Sequence, residues 1–260
     1  MKVAFVSDLH VDFAQQRIDW SRTEAEVLVI GGDTANTVGD AVKHITKAAG
    51  HFLSVVVVDG NHEGYSNAPQ NRTVEQTIDR LRALVPSNVV VLGHHQPHVE
   101  IGGVHFVGCN GWYSCDIVGD PIGNRDRWRE EMNDCRWIGF DAIKQPMPWE
   151  RAILDADLMR RTIEHVRGSG QPIVAVTHTA PHRDMVHWTI TDKAWDDSNA
   201  FYVNSHMSKV LEDHGDAITI WYNGHTHFRS ERTIHGVYCL ANPRGYPRQN
   251  PAWEPVVLDV

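Results

Sequence analysis

The chain contains several short, wholly apolar runs that end in glycine and polar residues. The clearest is Val55 to Val58, which leads directly into Asp59-Gly60-Asn61-His62-Glu63. Apolar runs without polar alternation are typical of strands that are buried on both faces of a sheet. The polar residues that follow therefore lie where a strand gives way to a loop.

Similar runs predict further strands along the chain. They cover Val3 to Val6, Val27 to Ile30, Val89 to Leu92, Pro172 to Val176, Ala217 to Tyr222 and Pro255 to Val260. Apolar residues at helical spacing predict helices at Val38 to Ile45, at Leu158 to Val166, at Met207 to Leu211 and after the capping box Thr73-x-x-Gln76. Because strands and helices alternate, neighbouring strands are expected to be parallel.

Glycine turns add hairpins to this pattern. Gly102-Gly103 separates the apolar segments Val99 to Ile101 and Val104 to Val107, and a second turn is centred on Gly236. Two-residue glycine turns join antiparallel strands. The sequence therefore predicts an α/β fold with mixed sheets, in a single domain that spans residues 1–260.

Two stretches interrupt the pattern. From Cys109 to about Glu150 the periodicity is lost, and this segment holds Trp112, Trp128, Trp137, Trp149, Arg125, Arg127, Arg129 and Arg136. Aromatic clusters usually serve packing, which predicts an insertion held on the body by its tryptophans. The alternative is a lid beside the functional site, with arginines that contact a phosphate ester. His182 to Ser205 is the second stretch, and its length suggests a functional loop.

Composition narrows the classes of function. The 260 residues are 42% hydrophobic and 22% charged, as in ordinary soluble globular proteins. A net charge of −9 argues against a broad surface for duplex DNA or anionic lipid, although it allows an anionic substrate held through bound cations. No apolar run reaches the ~18 residues that a membrane span requires.

The cysteines and the first residues bear on the compartment. Residues 1–7 already read as a strand, so no signal peptide is expected. The four cysteines show neither disulfide-framework pairing nor zinc-finger spacing; they are Cys109, Cys115, Cys135 and Cys239. We therefore expect a cytoplasmic protein without disulfides.

Carboxylate, amide and imidazole side chains follow five of the predicted strands. They are Asp8 and His10, then Asp33, then Asn61 and His62, then His178, then His225 and His227. Strand ends of an open α/β sheet face a common crevice, and residues two apart address the same side. Apart from His62, this set offers three oxygen donors and four imidazoles, enough for two cations if one carboxylate bridges them. A mixed N/O set without thiolates favours Mn²⁺, Fe or Zn²⁺.

These motifs resemble the complete motif set of the calcineurin-like metallophosphoesterases, both in their order along the chain and in the apolar strand that precedes each one. They are Asp8-x-His10, Gly32-Asp33, Gly60-Asn61-His62-Glu63, His178 and Gly224-His225-x-His227. The resemblance implies a four-layer αββα sandwich, with two mixed sheets between helical layers. It also implies two metal sites bridged by Asp33, one formed by Asp8, His10 and His227 and the other by Asn61, His178 and His225.

The resemblance also implies a mechanism. Two metal ions about 3.5–4 Å apart, most favourably Mn²⁺, bind the phosphoryl oxygens and lower the pKa of a bridging water, so that hydroxide attacks phosphorus in line. Asp33 and His62 are the expected catalytic residues, and His62 would protonate the leaving alkoxide or contact the phosphate. Glu63 would orient His62 as a hydrogen-bond acceptor, or would be a solvated carboxylate.

Departures from well-known relatives bear on the substrate. Protein Ser/Thr phosphatases of the superfamily contain the motifs Gly-Asp-x-x-Asp-Arg-Gly and Arg-Gly-Asn-His-Glu. In this chain Thr34-Ala35-Asn36-Thr37 follows Asp33, and Asp59 stands in place of the arginine that begins the second motif. Purple acid phosphatases carry a metal-binding tyrosine where this chain has Asn36. Both classes are therefore disfavoured, and phosphodiesters are slightly preferred over monoesters.

Three further residues are candidates for substrate binding. Arg244, in a segment that resembles the tail of small bacterial and phage-borne metallophosphoesterases, could reach a phosphate or stabilise its own turn. Tyr65 and Trp112 could stack on a base or ring, or could pack in the core. The expected substrate is a small phosphate ester, including a nucleotide or short nucleic acid, and no obligate protein partner is evident.

Alternative functions remain open at this stage. One is a phosphomonoesterase or a nuclease of the same fold, although the acidic balance disfavours a processive nuclease. Another is a non-catalytic protein-binding scaffold, which the complete set of site residues disfavours.

Overall fold

The computed structural model describes residues 1–13, 17–65, 72–140, 144–186 and 198–260. Its strands are β1 Lys2–Val6, β2 Val27–Gly31, β3 Ser54–Val58, β4 Val89–Val91, β5 His98–Ile101, β6 Val104–Cys109, β7 Ile173–Thr177, β8 Ile220–Asn223, β9 Ser230–Ile234, β10 Val237–Ala241 and β11 Val256–Asp259. Its α-helices are α1 Val38–Ala49, α2 Val74–Leu84, α3 Pro121–Glu131, α4 Asn133–Ile138, α5 Pro148–Val166 and α6 Ser205–His214. The strands and helices expected from the apolar pattern are all present.

The strands form two mixed sheets, with the orders β11-β1-β2-β3-β4 and β5-β6-β7-β8-β10-β9. In the first sheet β1 to β4 are parallel, and Val29 pairs with Phe5 on one side and Val56 on the other. In the second sheet β6, β7, β8 and β10 are parallel, and hairpins at Gly102-Gly103 and Gly236 add the antiparallel edges β5 and β9. Parallel neighbours bring their carboxyl ends to one edge of each sheet.

The inner faces of the sheets pack together, and helices cover the outer faces. Val55 and Val57 of β3 join the apolar layer below α1 and α2, whereas Val56 and Val58 join Phe106 of the second sheet. On the other side, α5 and α6 pack on the second sheet. Each fully buried valine contributes ~1.5–3 kcal/mol of transfer free energy. The four-layer αββα prediction is confirmed.

Residues 109–150 contain the helices α3 and α4 and the start of α5, although apolar periodicity is lost there. Trp112, Trp128 and Trp149 pack with Phe140 in an apolar cluster of their own, and Trp137 is 42% exposed. The expectation of packing by tryptophans is therefore confirmed for three of the four. No apolar stripe was visible because the buried side chains of α3 are Asn124 and Trp128 alone.

Two arginines of this segment lie over one of its aromatic rings. Arg125 and Arg129 lie 5.0 and 5.5 Å from the centre of the Trp149 ring, and Arg127 forms an ion pair with Glu131. Guanidinium groups over tryptophan are attracted by the ring. These contacts favour the packing interpretation of the segment over the lid.

Two further expectations concern loops and membranes. The long loop expected from His182 to Ser205 is described only near its ends, where 3₁₀ helices cover Arg183–Met185 and Asn199–Phe201, and residues 187–197 lie outside the described residues. None of the helices in the described parts of the chain combines the length and the apolar character that crossing a bilayer requires.

Truncation of Trp128 tests whether the 109–150 segment belongs to the core. Trp128 is 0% exposed, so Trp128→Ala should lower the free energy of unfolding by about 3–5 kcal/mol, because it leaves a large cavity. Trp137→Ala, in the same segment but largely exposed, should change it by no more than ~0.5 kcal/mol. Urea unfolding measures both. Equal, small effects would contradict the packing described above.

Candidate metal centre

Five loops at the carboxyl ends of strands bring all the predicted metal ligands together. These side chains form two groups. The first group consists of Asp8, His10, Asp33 and His227, and the second consists of Asp33, His178 and His225. Within each group the candidate ligand atoms all lie within 4.8 Å of one another. Asn61 joins the second group, since its Oδ1 lies 3.0 Å from His178 Nε2. Asp33 is the member common to both groups.

The imidazoles approach one another closely at each group. His10 Nε2 lies 2.9 Å from His227 Nε2, and His178 Nε2 lies 3.1 Å from His225 Nδ1. The Asp33 carboxylate lies 3.3 Å from His178 Nε2 and 3.9 Å from His10 Nε2. The ring nitrogens therefore face two neighbouring positions, one on each side of the Asp33 carboxylate, where cations could bind.

The backbone of these loops is strained at the ligands themselves. Left-handed φ angles of 51°, 41°, 54°, 69° and 50° occur at Asp8, His10, Asp33, His225 and His227. Such conformations cost non-glycine residues of order 1 kcal/mol or more and cluster at functional sites. They turn the chain sharply after each strand and direct its polar side chains into one space.

Neighbouring glycines make room for the carboxylates. A Cβ at Gly60 would collide with the Asp33 carboxylate, and one at Gly224 would lie 2.6 Å from Asp8 Oδ2. Only glycine fits such close approaches. This explains physically why glycine precedes Asn61 and His225 in the two motifs.

Hydrogen bonds on the outer side of the rings orient three of the four imidazoles. His178 Nδ1 donates to the Gly31 carbonyl oxygen at 2.8 Å, His225 Nε2 to that of Phe201 at 2.9 Å, and His227 Nδ1 to Gln249 Oε1 at 2.7 Å. Since the outer nitrogen carries the proton, the inner nitrogen presents its lone pair to the centre. Metal-binding histidines are typically held in this way.

The amide of Asn61 is oriented by the 109–150 segment. Its Nδ2 donates to Asp134 Oδ1 at 2.8 Å, so Oδ1 faces the centre. Asp134, on α4, is fully buried and also accepts hydrogen bonds from the hydroxyls of Tyr65 and Tyr113, both at 2.6 Å. Sequence reasoning missed Asp134, because nothing local connects it with a residue 73 positions earlier.

The pKa values of the buried site residues favour the binding of cations at the centre. Burial alone would raise the pKa of Asp33, but His178 and His62 hold it well below its ordinary value. Burial alone would lower the pKa of His178, yet Asp33 raises it to about 10, so a cation that binds there displaces the proton from the inner nitrogen. Burial lowers the pKa of His10 to about 3 and that of His225 to about 4, which keeps both rings in the neutral form that binds metals. The donor set therefore fits two cations that share a carboxylate.

A family model described as calcineurin-like phosphoesterase matches residues 1–229. The chain belongs to this family. It is thus a metal-dependent phosphoester hydrolase, of a family that uses dinuclear metal centres and acts on small phosphoester substrates. The resemblance seen in the motifs is confirmed.

Solved structures show the same fold. The phosphopantetheinyl hydrolase (PptH) from Mycobacterium tuberculosis superposes with a TM-score of 0.77 at 18% identity, over 99% of this chain and 95% of that one. A putative 5′-nucleotidase from Staphylococcus aureus has a TM-score of 0.51 at 14% identity, over 100% of this chain and 51% of that one. At these identities the likeness concerns the fold alone. No curated protein matches the sequence.

His62 of this phosphoesterase is held by a residue that the sequence interpretation treated only as a departure from relatives. Its Nδ1 lies 2.5 Å from Asn36 Oδ1, so this nitrogen carries a proton, and its Nε2 faces the centre 3.8 Å from Asp33 Oδ2. The Tyr246 hydroxyl lies 3.2 Å from Nε2. The rings of Tyr65 and His10 flank the imidazole at 4.3 and 4.6 Å.

Glu63 does not orient His62, and it is not solvated. It is buried, and its carboxylate accepts hydrogen bonds from the backbone N–H groups of Gly60, Asp33 and Thr34, at 2.8, 3.1 and 2.6 Å. Both alternatives expected for Glu63 are therefore wrong. The side chain instead fastens the loop after β2 to the loop after β3, because a carboxylate can satisfy several buried donors at once.

The three candidate substrate residues occupy different environments. Tyr65 is half-buried beside His62, with its hydroxyl bonded to Asp134. Arg244 donates to the Leu9 carbonyl oxygen at 3.3 Å and lies over the Trp253 ring at 5.7 Å. Trp112 is 2% exposed and meets Phe140 edge-on, so its burial does not support the prediction that it stacks on a substrate ring. It is a core residue.

The role of Glu63 can be tested by removing its charge. Glu63→Gln should lower the free energy of unfolding by about 1–3 kcal/mol, because the new amide group would face backbone donors instead of accepting from them. Glu164→Gln is the matched control, since Glu164 forms an exposed ion pair with Arg160. Urea unfolding at pH 7 compares the two. A Glu63 variant as stable as the control would contradict the fastening role.

Proposed function

We propose that the protein hydrolyses small phosphodiesters at a dinuclear metal centre and hydrolyses phosphomonoesters somewhat less well. The observation that carries the proposal is the convergence of seven side chains on two points that share Asp33, with the outer N–H groups of three imidazoles engaged. A donor set so fully oriented supports a working catalytic centre rather than a scaffold.

The ligand roles follow the two groups. Asp8, His10 and His227 would hold one cation, and Asn61, His178 and His225 the other, with Asp33 bridging both. Mn²⁺ suits this mixture of nitrogen and oxygen donors best, and Fe or Zn²⁺ are the alternatives. Two bound cations would lower the pKa of water and offset the charge that develops on the phosphoryl oxygens.

His62 supplies the proton in this proposal. Because Asn36 accepts the hydrogen bond from Nδ1, a second proton on Nε2 would face the space beside Asp33, where the scissile ester would lie. Nε2 would give this proton to the leaving alkoxide or donate to a phosphoryl oxygen. Asn36 would position the ring, and the flanking rings of Tyr65 and His10 would limit its rotation.

The charge around His62 supports the diester preference. In the described parts of the chain the side chains found in contact with this ring are Asn36, Tyr65, Tyr246, His10 and Asp33, none of which is a lysine or arginine. At neutral pH a phosphomonoester carries up to two negative charges and a diester only one. A proton donor that no guanidinium contacts is better matched to the singly charged diester.

The cysteines support a cytoplasmic location. All four lie in the described part of the chain, where none forms a disulfide bond, and three of them are buried: Cys109, Cys115 and Cys239. Burial raises the pKa of the Cys115 and Cys239 thiols to about 12, which keeps them protonated and unreactive. Free, inert thiols are usual in a reducing compartment.

The experiment that tests the function compares two chromogenic esters. Bis(p-nitrophenyl) phosphate and p-nitrophenyl phosphate are incubated with metal-stripped protein, and then with added Mn²⁺, Fe²⁺ or Zn²⁺. We expect metal-dependent turnover of both esters, with the larger kcat/KM for the diester. A larger value for the monoester would replace the diester preference with a phosphatase activity. No turnover of either ester with any metal would favour the scaffold.

Removal of the shared carboxylate should disable the centre. Asp33→Ala should lower kcat/KM by about 100-fold or more and remove at least one metal ion per chain, since both groups lose a ligand. Asp157→Ala, at an exposed carboxylate on α5, is the control. Metal content is measured by plasma mass spectrometry. Two retained ions with normal turnover would refute the bridging assignment.

Removal of His62 should affect chemistry more than metal binding. His62→Ala should lower kcat by ~10²–10⁴ for an alkyl ester, less for a p-nitrophenyl ester whose leaving group needs little protonation, and leave the metal content nearly unchanged. Asn36→Ala should show the same dependence on the leaving group, with a smaller loss. Equal losses for both kinds of ester would argue against proton donation by His62.

A further inference from the structure

A wide groove lies along the C-terminal part of the chain, and Tyr246, which borders it, contacts residues of the metal centre. Its volume is about 1160 Å³, and its walls come from residues 17–24 and 244–257, with Lys2 at one side. The second wall lies beyond residue 229, where the family match ends. The groove is large enough for a ligand of nucleotide size or more.

Tyr246 connects the groove with the site of reaction. It lines the groove, its ring stacks on His10 at 4.5 Å, and its hydroxyl lies 3.2 Å from His62 Nε2. Phe13 meets the same ring edge-on at 5.4 Å. A phosphodiester bound with its phosphate at the metal centre could therefore extend one of its two ester groups over Tyr246 into the groove.

The groove is cationic although the chain is acidic. Five cationic and three anionic side chains line it, whereas the whole chain has a net charge of −9. The cations are Lys2, Arg17, Arg22, Arg244 and Arg248. A concave surface with a local excess of positive charge concentrates anions, and guanidinium groups bind phosphate oxygens through paired hydrogen bonds.

The wall that carries Arg248 is joined by hydrogen bonds to a predicted metal ligand. Gln249 accepts hydrogen bonds from Tyr246 N at 2.6 Å and from His227 Nδ1 at 2.7 Å through one and the same oxygen. Asn250 Nδ2 donates to the carbonyl oxygen of His227 at 3.2 Å. Arg248 itself has a left-handed φ of 77°, a conformation that costs energy and that clusters at functional sites.

We propose that this groove binds a second phosphate group of the substrate, so that the preferred substrates are small phosphodiesters with a further phosphate on one ester group. The inference rests on the proposed phosphodiesterase function and specifies its substrate class. Arg248 would contact the distal phosphate, Arg22 on the other wall would add to the positive charge that attracts it, and Tyr246 would lie beneath the part of the substrate that joins the two phosphates.

A matched pair of substrates tests the inference. The p-nitrophenyl ester of thymidine 5′-phosphate is compared with the same ester carrying an additional 3′-phosphate. With Mn²⁺ present, we expect kcat/KM to be about tenfold higher for the substrate with the second phosphate, mainly through KM, as for one charged hydrogen-bonded contact. Added salt should reduce this ratio.

Variants locate the effect in the groove. The double variant Arg22→Gln/Arg248→Gln should reduce the ratio of kcat/KM between the two esters from about tenfold to about twofold. The variant Arg22→Lys/Arg248→Lys should retain most of this ratio because the charges remain. Arg161→Gln, which removes an exposed arginine on α5, is the control and should keep the wild-type ratio. A wild-type ratio near one, or a ratio that the Gln variants do not change, would overturn the inference.

A binding measurement separates this inference from the proposed function. Calorimetry compares thymidine 3′,5′-bisphosphate with thymidine 5′-phosphate on the Mn²⁺-loaded His62→Ala protein, in which turnover is slow. Tighter binding of the bisphosphate, lost in the Arg22→Gln/Arg248→Gln background, supports the groove even if bis(p-nitrophenyl) phosphate is not hydrolysed. If that diester is hydrolysed but the two nucleotides bind equally, the groove inference fails and the phosphodiesterase function stands.

Discussion

The buried carboxylate of Asp33 is the interaction on which the rest of the site depends. Its Oδ1 accepts a hydrogen bond from the backbone N–H of His62 at 2.9 Å, and its Oδ2 faces the ring of His178 at 3.3 Å. A buried negative charge is costly unless cations or donors surround it. The Asp33 side chain therefore holds the loops after β2, β3 and β7 in one arrangement. Gly60 leaves room for this carboxylate, and Glu63 joins the loops after β2 and β3 by hydrogen bonds.

Hydrogen bonds that orient Asn61 link the site to the aromatic core. Asn61 can present its oxygen to a cation only if its amide nitrogen is engaged elsewhere, and Asp134 engages it. Asp134 is in turn held by the Tyr113 hydroxyl, which accepts from Trp128 Nε1. The 109–150 segment thus acts on the metal centre through its packing and hydrogen bonds.

The C-terminal part of the chain has two structural roles. As β11 it adds an antiparallel edge to the first sheet, and through the Pro243 segment it pairs with Ser7 beside the first ligand of the centre. Gln249 then orients His227. These residues lie beyond the part of the chain that the family model matches.

Local signals in the sequence determined much of this protein. Apolar runs predicted the strands, Gly102-Gly103 a hairpin, the Thr73 capping box a helix start, and the polar residues after each strand the donor set of the centre, because each depends on residues close together in the chain. Tertiary structure alone decided that Glu63 fastens loops, that Trp112 is buried and that Asn36 and Asp134 orient the site. These roles arise from contacts between distant segments, and no periodicity or spacing records such contacts.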